Sequence, residues 1–223
     1  MSEKIIKVAI IGSNGRMGQL ANQVVESMPN CSIVAKITRH DDLGAVLKSA
    51  KPDVAIELTS HESVFANART IITNKVYPII GSSGLTHANI ESLSLLCNNN
   101  KIGGIIAPNF SLGIAVISKM AKDLKQYYDE FSIIEFHHAA KKDKPSGTAR
   151  YTSQLLGAKE QDICSIRSNG FVAKQQVYVS SPGERILIDH ENFDRNSFAK
   201  GISLCVNKVL NLDSLVVGLE NIL

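Results

Sequence analysis

The sequence predicts an α/β fold, with a Rossmann-like parallel sheet followed by a smaller α+β domain. Short apolar runs alternate with amphipathic segments in the first half, as in chains that form parallel sheets. A glycine-rich turn follows the first apolar run directly, and the alternation stops after Ser111. The chain has 223 residues, 44% of them hydrophobic, which is enough for the cores of one or two domains.

Five strands are predicted in the first half, and small or polar residues follow each of them. Helical periodicity lies between the strands, for example over Met17–Met28 and Ile90–Cys97. Ligands of open α/β sheets bind beyond the carboxyl ends of the strands, so the polar clusters predict one ligand-binding edge. The predicted strands are Lys7–Ile11, Ile33–Ile37, Val54–Leu58, Tyr77–Ile80 and Gly104–Ala107.

The second half predicts a different order of elements. A long amphipathic helix, Leu112–Tyr128, leads into a strand that ends just before His137, and a further helix begins near Ser146. A last helix is predicted over Asn196–Leu210, followed by a short apolar tail. Strands are predicted at Phe131–Phe136, Ile163–Arg167, Gln176–Ser180 and Arg185–His190, with a turn at Ser181–Glu184 between the last two.

Composition argues against several classes of protein. The net charge of +3 is slight and dispersed, and aromatic residues are only 5%, so no nucleic-acid partner is predicted. No signal peptide and no run of ~20 apolar residues is present, which predicts no membrane contact and a cytoplasmic location. The cysteines lack Cys-x-x-Cys spacing and are predicted to be buried free thiols: Cys31, Cys97, Cys164 and Cys205.

The glycine turn Gly12-Ser13-Asn14-Gly15-Arg16-Met17-Gly18 lies between a predicted strand and a predicted helix. Such a turn lets the backbone approach a pyrophosphate at a helix N-terminus. The spacing is a variant of the common Gly-x-Gly-x-x-Gly pattern, and a plain tight turn is the alternative. The context favours a nucleotide site.

Cofactor preference depends on the residue about 20 positions after the glycine turn, where an acid usually bonds the ribose of NAD. Here Thr38 and Arg39 stand at that place. A guanidinium binds a 2′-phosphate, so NADPH is expected to serve at least as well as NADH. An ordinary surface role for Arg39 is the alternative, and the nearby Asp41 and Asp42 weaken the argument.

The segment 137–149 carries His137, His138, Lys141 and the sequence Ser146-Gly147-Thr148. Imidazoles transfer protons near neutral pH, while an ammonium group and a helix N-terminus bind carboxylates. A small anionic substrate that must be protonated is therefore predicted. Structural histidines, a solvated basic turn and a simple helix cap are the alternatives. No metal site is predicted, because adjacent strand residues point in opposite directions and no third ligand is suitably spaced.

The same segment resembles a known family. Glu135-Phe136-His137-His138, Lys141, Asp143 and Pro145–Ala149 are similar to the pattern of 4-hydroxy-tetrahydrodipicolinate reductases, also called dihydrodipicolinate reductases. The resemblance extends over most of the chain, through Gly12–Gly18, Gly81–Gly84, Asn109–Ser111 and Pro182–Arg185.

The resemblance implies NAD(P)H-dependent reduction of a dicarboxylate in the diaminopimelate route to lysine. His137 would be the proton donor or acceptor at the ring, and Lys141 a second proton donor. His138, Ser146, Gly147 and Thr148 would bind the two carboxylates. NADPH or NADH would bind at Gly12, Ser13, Asn14, Gly15, Arg16, Met17, Thr38, Arg39, Gly81, Ser82, Ser83, Ala107, Pro108, Asn109 and Phe110.

The resemblance also implies a homotetramer assembled through the sheet of the second domain. The dinucleotide-binding domain would comprise residues 1–110 with 197–223, and the substrate-binding domain residues 111–196. The chain departs from the family at Ala139-Ala140, Ser60-His61 and Ala173-Lys174-Gln175. A related two-domain imine or amino-acid dehydrogenase and a non-catalytic NAD(P)H-binding paralogue are the alternative functions.

Overall fold

The computed structural model describes residues 5–223, apart from the side chain of Glu160. Two compact units are formed, one from residues up to Phe110 together with Phe198–Leu223, the other from Ser111–Ser197. We call them the parallel-sheet unit and the mixed-sheet unit. The strands are β1 Ile6–Ile11, β2 Cys31–Ile37, β3 Val54–Glu57, β4 Tyr77–Ile80, β5 Gly104–Ile106, β6 Glu130–His137, β7 Ile163–Arg167, β8 Ala173–Ser181, β9 Glu184–Asn192 and β10 Leu215–Val217.

Seven α-helices lie within the described residues. Each has an apolar stripe, and the packing of that stripe against a sheet or another helix stabilises the helix. None of the helices in residues 5–223 combines the length and apolar character that a membrane span requires. They are α1 Arg16–Ser27, α2 Leu43–Ala50, α3 Val64–Thr73, α4 His87–Asn100, α5 Leu112–Leu124, α6 Gly147–Leu156 and α7 Ala199–Val209.

The parallel-sheet unit contains a six-stranded sheet in the order β10-β5-β4-β3-β1-β2, and every neighbouring pair is parallel. All four residues of β3 are buried, as expected for a central strand covered on both faces. The chain moves from β1 to β2 on one side and returns to β3 on the other. The turn after β1 thus lies at the switch point of the sheet, where ligands of such folds bind.

The mixed-sheet unit contains four strands in the order β7-β6-β8-β9. β6 pairs in parallel with β7 and antiparallel with β8, while β8 and β9 form a hairpin. Pro182 and Gly183 form the hairpin loop, where the φ of +92° at Gly183 favours glycine. Alternate residues of the strands pack on α5 and α6, including Ile133, Val177 and Val179. We call this side the inner face of the sheet.

The predicted fold class is confirmed, and the five strands of the first half lie within two residues of their predicted bounds. Several element boundaries differ from prediction, and β8 begins at Ala173, three residues before its predicted start. The helix predicted to reach Tyr128 ends at Leu124, because Lys125–Tyr128 form hydrogen-bonded turns instead. The predicted apolar tail contains the strand β10, which extends the parallel sheet beyond β5. The last helix begins at Ala199, preceded by a 3₁₀ turn over Arg195–Phe198.

The prediction that the cysteines are buried thiols is only partly correct. All four thiols are free, and Cys97 and Cys205 are buried, where burial raises their pKa values to about 11 and about 12 respectively. Cys31 is half-buried, and Cys164 is exposed. The alternation of β7 explains the exposure, because Ile163 and its alternate residues face inward and Cys164 therefore faces outward.

Candidate functional site

Neighbouring backbone atoms approach the glycine turn after β1 closely on two sides. Gly12 has a φ of +80°, and a Cβ there would lie 2.4 Å from the carbonyl oxygen of Leu58. A Cβ at Gly18 would lie 2.2 Å from the carbonyl oxygen of Gly12, so α1 packs directly on the turn. Gly15 is exposed at the N-cap of α1. The turn therefore presents a helix N-terminus, with its partial positive charge, at the switch point of the sheet.

A cavity of about 800 Å³ lies at the carboxyl ends of β1, β2 and β3. Five of the predicted cofactor residues line it: Gly12, Asn14, Gly15, Thr38 and Arg39. The volume lies within the range of cofactor pockets, roughly 300–1,000 Å³. The residues fit a nucleotide, because a helix N-terminus and a guanidinium, both of which bind phosphate, share one cavity.

The β2 end of this cavity holds opposite charges. The Asp41 carboxylate accepts hydrogen bonds from the backbone N–H and the hydroxyl of Thr38, both at 2.8 Å. The N–H of Thr38 is the main reason why the pKa of Asp41 lies below its ordinary value. The Nε of Arg39 donates to Nε2 of His40 at 3.3 Å. A carboxylate and a guanidinium thus both lie where the ribose end of a nucleotide is expected.

The other predicted cofactor residues follow the strands along the same edge, but they do not line this cavity. Ser13 is buried and bonds the carbonyl of Ile37. Arg16 and Met17 begin α1. After β4, a Cβ on Gly81 would lie 2.5 Å from the ring of Phe110, so this position accepts only glycine without a shift. Ser82 and Ser83 follow Gly81, and Ala107, Pro108 and Asn109 follow β5.

A polar network at the end of β3 extends beyond the predicted site residues. Glu57 is fully buried and accepts hydrogen bonds from the hydroxyl of Thr59 and from the side-chain amide of Asn67, the latter at 3.1 Å. The Oγ atoms of Thr59 and Ser63 lie 2.8 Å apart. Thr59, Ser63 and Asn67 line the cavity together with Ser60. The sequence predicts a ligand-binding edge at the polar residues after this strand, which include Thr59 and Ser60. No pattern in the sequence marks Asn67 on α3 as part of that edge.

In the mixed-sheet unit, His137 is the last residue of β6, one residue beyond the predicted end of that strand. Its Nδ1 lies 2.5 Å from Oε2 of Glu135, a carboxylate with a fully buried side chain. Burial lowers the pKa of His137 below its ordinary value, and the positive charges of Lys141 and Arg167 act in the same direction. Glu135 opposes them. The imidazole is therefore held by a carboxylate at one nitrogen and can exchange a proton at the other.

Arg167, at the end of β7, completes a buried ion pair. Its guanidinium donates to Oε1 and Oε2 of Glu135 at 2.7 and 3.0 Å. It also donates to the backbone carbonyls of Lys141 and Asp143, at 3.3 and 2.7 Å. The sequence marks Arg167 only as the end of a predicted strand, and it marks Glu135 only as a neighbour of the two histidines.

The loop after β6 brings Lys141 close to its acidic neighbour. Nζ of Lys141 lies 2.9 Å from Oδ1 of Asp143, and the lysine side chain is 25% exposed. Burial alone would raise the pKa of Asp143, but the contact with Lys141 lowers it overall. His138, Ala139 and Ala140 are exposed in the same loop. A flexible ammonium group is thus positioned near the imidazole, where an anionic ligand would compete with Asp143.

The N-terminus of α6 is the predicted carboxylate site, and Ser146 is its N-cap. Ser146 is buried, its Oγ accepts from the N–H of Ala149, and its own N–H donates to Glu135 at 3.3 Å. The hydroxyl of Ser146 accepts in this cap and keeps its own O–H as a donor, so its contact with a substrate carboxylate stays a prediction, like those of Gly147 and Thr148. A Cβ at Gly147 would meet nothing within 4 Å, which leaves the first turn of α6 open to a ligand.

Two family models divide the chain between them. The model for the N-terminus of dihydrodipicolinate reductase matches residues 6–110, and the model for its C-terminus matches residues 111–223.

Individual relatives are similar over nearly their whole length. The 4-hydroxy-tetrahydrodipicolinate reductase of Legionella pneumophila strain Corby is 38% identical over 240 residues, covering 97% of this chain and 99% of the relative. The enzyme of the same name from Coxiella burnetii strain Dugway 5J108-111 is 38% identical over 237 residues, covering 98% and 99%. The solved structure of a dipicolinate-bound dihydrodipicolinate reductase from Paenisporosarcina sp. TG-14 covers 98% of this chain and 100% of its own, with a TM-score of 0.86 and 31% identity.

Two independent kinds of likeness thus agree with the geometry of the glycine turn and the histidine loop. Both family models are matched in chain order, and the relatives are similar from end to end. The chain belongs to the dihydrodipicolinate reductase family.

Proposed function

We propose that this chain reduces 4-hydroxy-tetrahydrodipicolinate to tetrahydrodipicolinate with a nicotinamide nucleotide, in the diaminopimelate route of lysine biosynthesis. The arrangement that supports this most is the imidazole of His137 on the buried carboxylate of Glu135, beside the ammonium of Lys141 and the N-terminus of α6. A proton donor and two positive groups for carboxylates are what this substrate requires.

The reaction balances with one hydride and one proton. The hydroxyl group and a hydrogen of the neighbouring ring carbon leave the substrate together as water, which generates a C=C bond conjugated with the ring C=N bond. A bound nicotinamide would supply the hydride. His137 donates the proton that quenches the resulting negative charge, and a positioned acid contributes roughly 10²–10⁴-fold in rate. Lys141 neutralises a carboxylate and serves as a second donor.

The substrate carboxylates are assigned to His138 and to the first turn of α6. His138 is exposed beside the catalytic imidazole, while Gly147 and Thr148 carry the partial positive charge of the helix N-terminus. Ser146 shapes this terminus, because its hydroxyl caps the helix. The relative from Paenisporosarcina was solved with dipicolinate, a planar dicarboxylate of similar size. We propose that this chain also binds a small dicarboxylate, at His138 and the first turn of α6.

We propose NADPH as the preferred cofactor, with NADH also used. Arg39 lines the cavity with Thr38, where a carboxylate would otherwise repel a 2′-phosphate. Asp41 lines the same cavity and favours a free ribose hydroxyl, so the two residues act in opposite directions.

The cofactor assignment is tested by Arg39→Ala and Asp41→Asn. Arg39→Ala is expected to raise the KM for NADPH by roughly 10–100-fold, the value of one charged hydrogen-bonded contact, and to leave the KM for NADH almost unchanged. Asp41→Asn is expected to improve NADPH relative to NADH. An equal effect of Arg39→Ala on both cofactors would contradict the assignment.

We propose a homotetramer assembled through the outer face of the mixed sheet, the side turned away from α5 and α6. Apolar side chains on this face include Ile134, Phe136, Tyr178, Ile166 and Leu187, of which the last two are 38% and 46% exposed. An exposed apolar sheet face of this kind marks an interaction surface. A cytoplasmic location is proposed as well, since all four cysteines are free thiols.

The function is tested by oxidation of NADPH and NADH, with the substrate produced in situ by the preceding synthase. Substrate-dependent oxidation with formation of tetrahydrodipicolinate is the expected result. Nucleotide binding without turnover would contradict the proposal and support a non-catalytic paralogue. Turnover of other imines or amino acids, without this substrate, would support a related dehydrogenase.

A further inference from the structure

His137 contacts the carboxylate of Glu135, and both oxygens of that carboxylate accept further hydrogen bonds. The side chain of Glu135 is fully buried on the inner face of β6, two residues before His137. One carboxylate oxygen lies 2.5 Å from Nδ1 of His137, and the other accepts the backbone N–H of Ser146. Arg167 binds both oxygens through its two terminal nitrogens. A buried carboxylate is costly unless it is paired, and here it is paired twice.

Hydrogen bonds keep this carboxylate ionised. Burial alone would raise the pKa of Glu135, but the bonds from Arg167 and His137 lower it below its ordinary value. An ionised carboxylate only accepts hydrogen bonds, so Nδ1 of His137 must carry a proton. The other ring nitrogen, Nε2, is then the one that donates to or accepts from a ligand. The tautomer of His137 is set by Glu135.

Arg167 connects the imidazole to the lysine loop. Its side chain is 6% exposed, and besides Glu135 it binds the carbonyls of Lys141 and Asp143. A planar guanidinium with five donors makes these contacts simultaneously, whereas the ammonium of a lysine has three donors on one atom. The geometry of His137 and the path of the loop that carries Lys141 are therefore fixed by the same side chain.

We infer that Glu135 and Arg167 are positioning residues of the reaction: Glu135 sets the Nδ1–H tautomer of His137 and stabilises its imidazolium form, while Arg167 fixes Glu135 and the loop of Lys141. This inference rests on the proposed function. Neither residue touches the substrate in this scheme, and the effect of each is transmitted through His137 or Lys141.

The charges around His137 determine the sign of the effect of Glu135→Gln. Glu135 contributes the negative charge from β6, Arg167 a positive charge from β7, and Lys141 a positive charge from the loop, partly offset by Asp143. Without the carboxylate the pKa of His137 falls, and the pH range in which the imidazole is protonated moves to lower pH. A glutamine amide can also donate to Nδ1, which favours the opposite tautomer.

The central test is the pH profile of Glu135→Gln with Gln175→Leu as the matched control. Gln175 lies opposite Glu135 on β8, is buried, and donates its side-chain hydrogen bond to Oγ1 of Thr152 at 2.9 Å. Glu135→Gln is expected to lower kcat by roughly 10–100-fold, to change the KM for substrate little, and to move the profile to lower pH. Gln175→Leu is expected to change Tm while the profile stays in place.

The Arg167 half of the inference is tested by Arg167→Lys. The lysine keeps the positive charge, but the carbonyls of Lys141 and Asp143 lose the guanidinium as their donor. The loop that carries Lys141 is then less well positioned, so the KM for substrate is expected to rise and kcat to fall. An unchanged KM would show that Arg167 does not hold the lysine loop.

A measurement on the unmodified protein decides the inference even where a variant fails to fold. Histidine side-chain NMR of ¹⁵N-labelled protein, with His137 assigned by its absence in His137→Gln, reports which nitrogen is protonated. The Nδ1–H tautomer is expected, and the Nε2–H tautomer would overturn the inference. So would a Glu135→Gln variant that loses Tm but keeps the wild-type kcat and profile. Absence of turnover in the wild type would refute the proposed function, whereas the tautomer measurement would still stand.

Discussion

At the scale of single residues, the proposed site combines a proton donor with groups that would neutralise carboxylates. His137 is held by Glu135, and Lys141 lies at 2.9 Å from Asp143. The ion pair of Lys141 and Asp143 has little net charge, so a substrate carboxylate gains most if it displaces Asp143. Under the proposed function, Lys141 contributes both to binding and to the transition state.

Lys141→Ala is expected to raise the KM for substrate and to lower kcat, each by about tenfold or more, because a charge-assisted contact and a proton donor are lost together. Lys142→Ala is the matched control, since Lys142 is the exposed neighbour in the same loop. Steady-state kinetics at saturating NADPH measures both variants. A KM unchanged in Lys141→Ala would contradict the carboxylate role, and equal losses in both variants would indicate a general effect of loop charge.

Much of the site could be predicted at this scale, because side chains that carry out proton transfer are few and conspicuous in a sequence. His137 at a strand end and Ser146 at a helix N-cap both lie as predicted. Arg167 could not be predicted, since its role depends on the parallel pairing of β6 and β7, which brings His137 opposite Arg167. Asn67 could not be predicted either, because it donates to Glu57 from the helix that follows β3.

At the scale of elements, the glycine turn depends on close packing between α1 and the end of β1. The Cβ that Gly18 lacks would lie 2.2 Å from a backbone carbonyl, which cannot move without displacing the turn. The seven-residue spacing of the glycines therefore follows from backbone contact, and a residue with a larger side chain would separate the helix from the sheet.

Gly18→Ala is expected to destabilise the protein by about 1–3 kcal/mol through overpacking and to raise the Kd for NADPH by at least about tenfold. Gly170→Ala is the control, because a Cβ there meets nothing within 4 Å and a surface change of this kind stays within about 0.5 kcal/mol. Thermal unfolding and NADPH fluorescence titration measure the two effects. Wild-type affinity in a folded Gly18→Ala protein would show that this contact does not shape the nucleotide site.

The joint between β9 and α5 predicts a pH dependence of stability. Nε2 of His190 lies 3.2 Å from Oγ of Ser111, the N-cap of α5, and burial lowers the pKa of His190 despite the neighbouring Asp189. The unfolded chain then binds more protons than the folded chain below the ordinary value of 6.5, so stability is lost as the pH falls through this range. Burial of His137 acts with the same sign.

His190→Gln is therefore expected to reduce the fall in Tm between about pH 7 and about pH 5 relative to the wild type. His87→Gln, a change at an exposed helix position, should leave the slope as it is in the wild type. The slope is the informative quantity, because it does not depend on how much the lost contact with Ser111 lowers Tm at neutral pH. A steeper fall in Tm with falling pH in His190→Gln than in the wild type would contradict the predicted direction of this pH dependence.

Element ends were less predictable than element types. The sequence predicts only a short apolar tail where β10 lies, because three residues are too few to show a periodicity. The strand forms through its pairing with β5, which the sequence does not reveal. The residues after Leu124 continue the helical pattern in sequence but form turns in the structure. Long-range pairing and local turn geometry, neither of which is visible in a pattern of apolar residues, decide such boundaries.

At the scale of the whole molecule, the outer face of the mixed sheet is the surface on which assembly is proposed. Leu187 lies on the edge strand β9, paired in register with Tyr178 on β8, and is 46% exposed. Several apolar side chains lie at alternate positions of this face, and exposed apolar surface favours association with a complementary copy in water.

Leu187→Asp is expected to reduce the assembly from four chains to smaller species, because a charge introduced into the proposed interface must be desolvated. Leu95→Asp is the control, an equally drastic change at an exposed leucine of the parallel-sheet unit. Size-exclusion chromatography with light scattering measures the mass of each. A Leu187→Asp protein that remains a tetramer would place the interface elsewhere, and a monomeric wild type would refute the tetramer.

The most direct test of the reductase function is transfer of deuterium from nicotinamide-deuterated NADPH, labelled in turn on each face of the ring, to the product. Mass spectrometry of tetrahydrodipicolinate formed by the wild type is expected to show one deuterium from one of the two labelled cofactors. His137→Gln is expected to bind NADPH normally and to form product roughly 10²–10⁴-fold more slowly. Product without deuterium from either cofactor, or no product from a protein that binds NADPH, would contradict the proposed reaction.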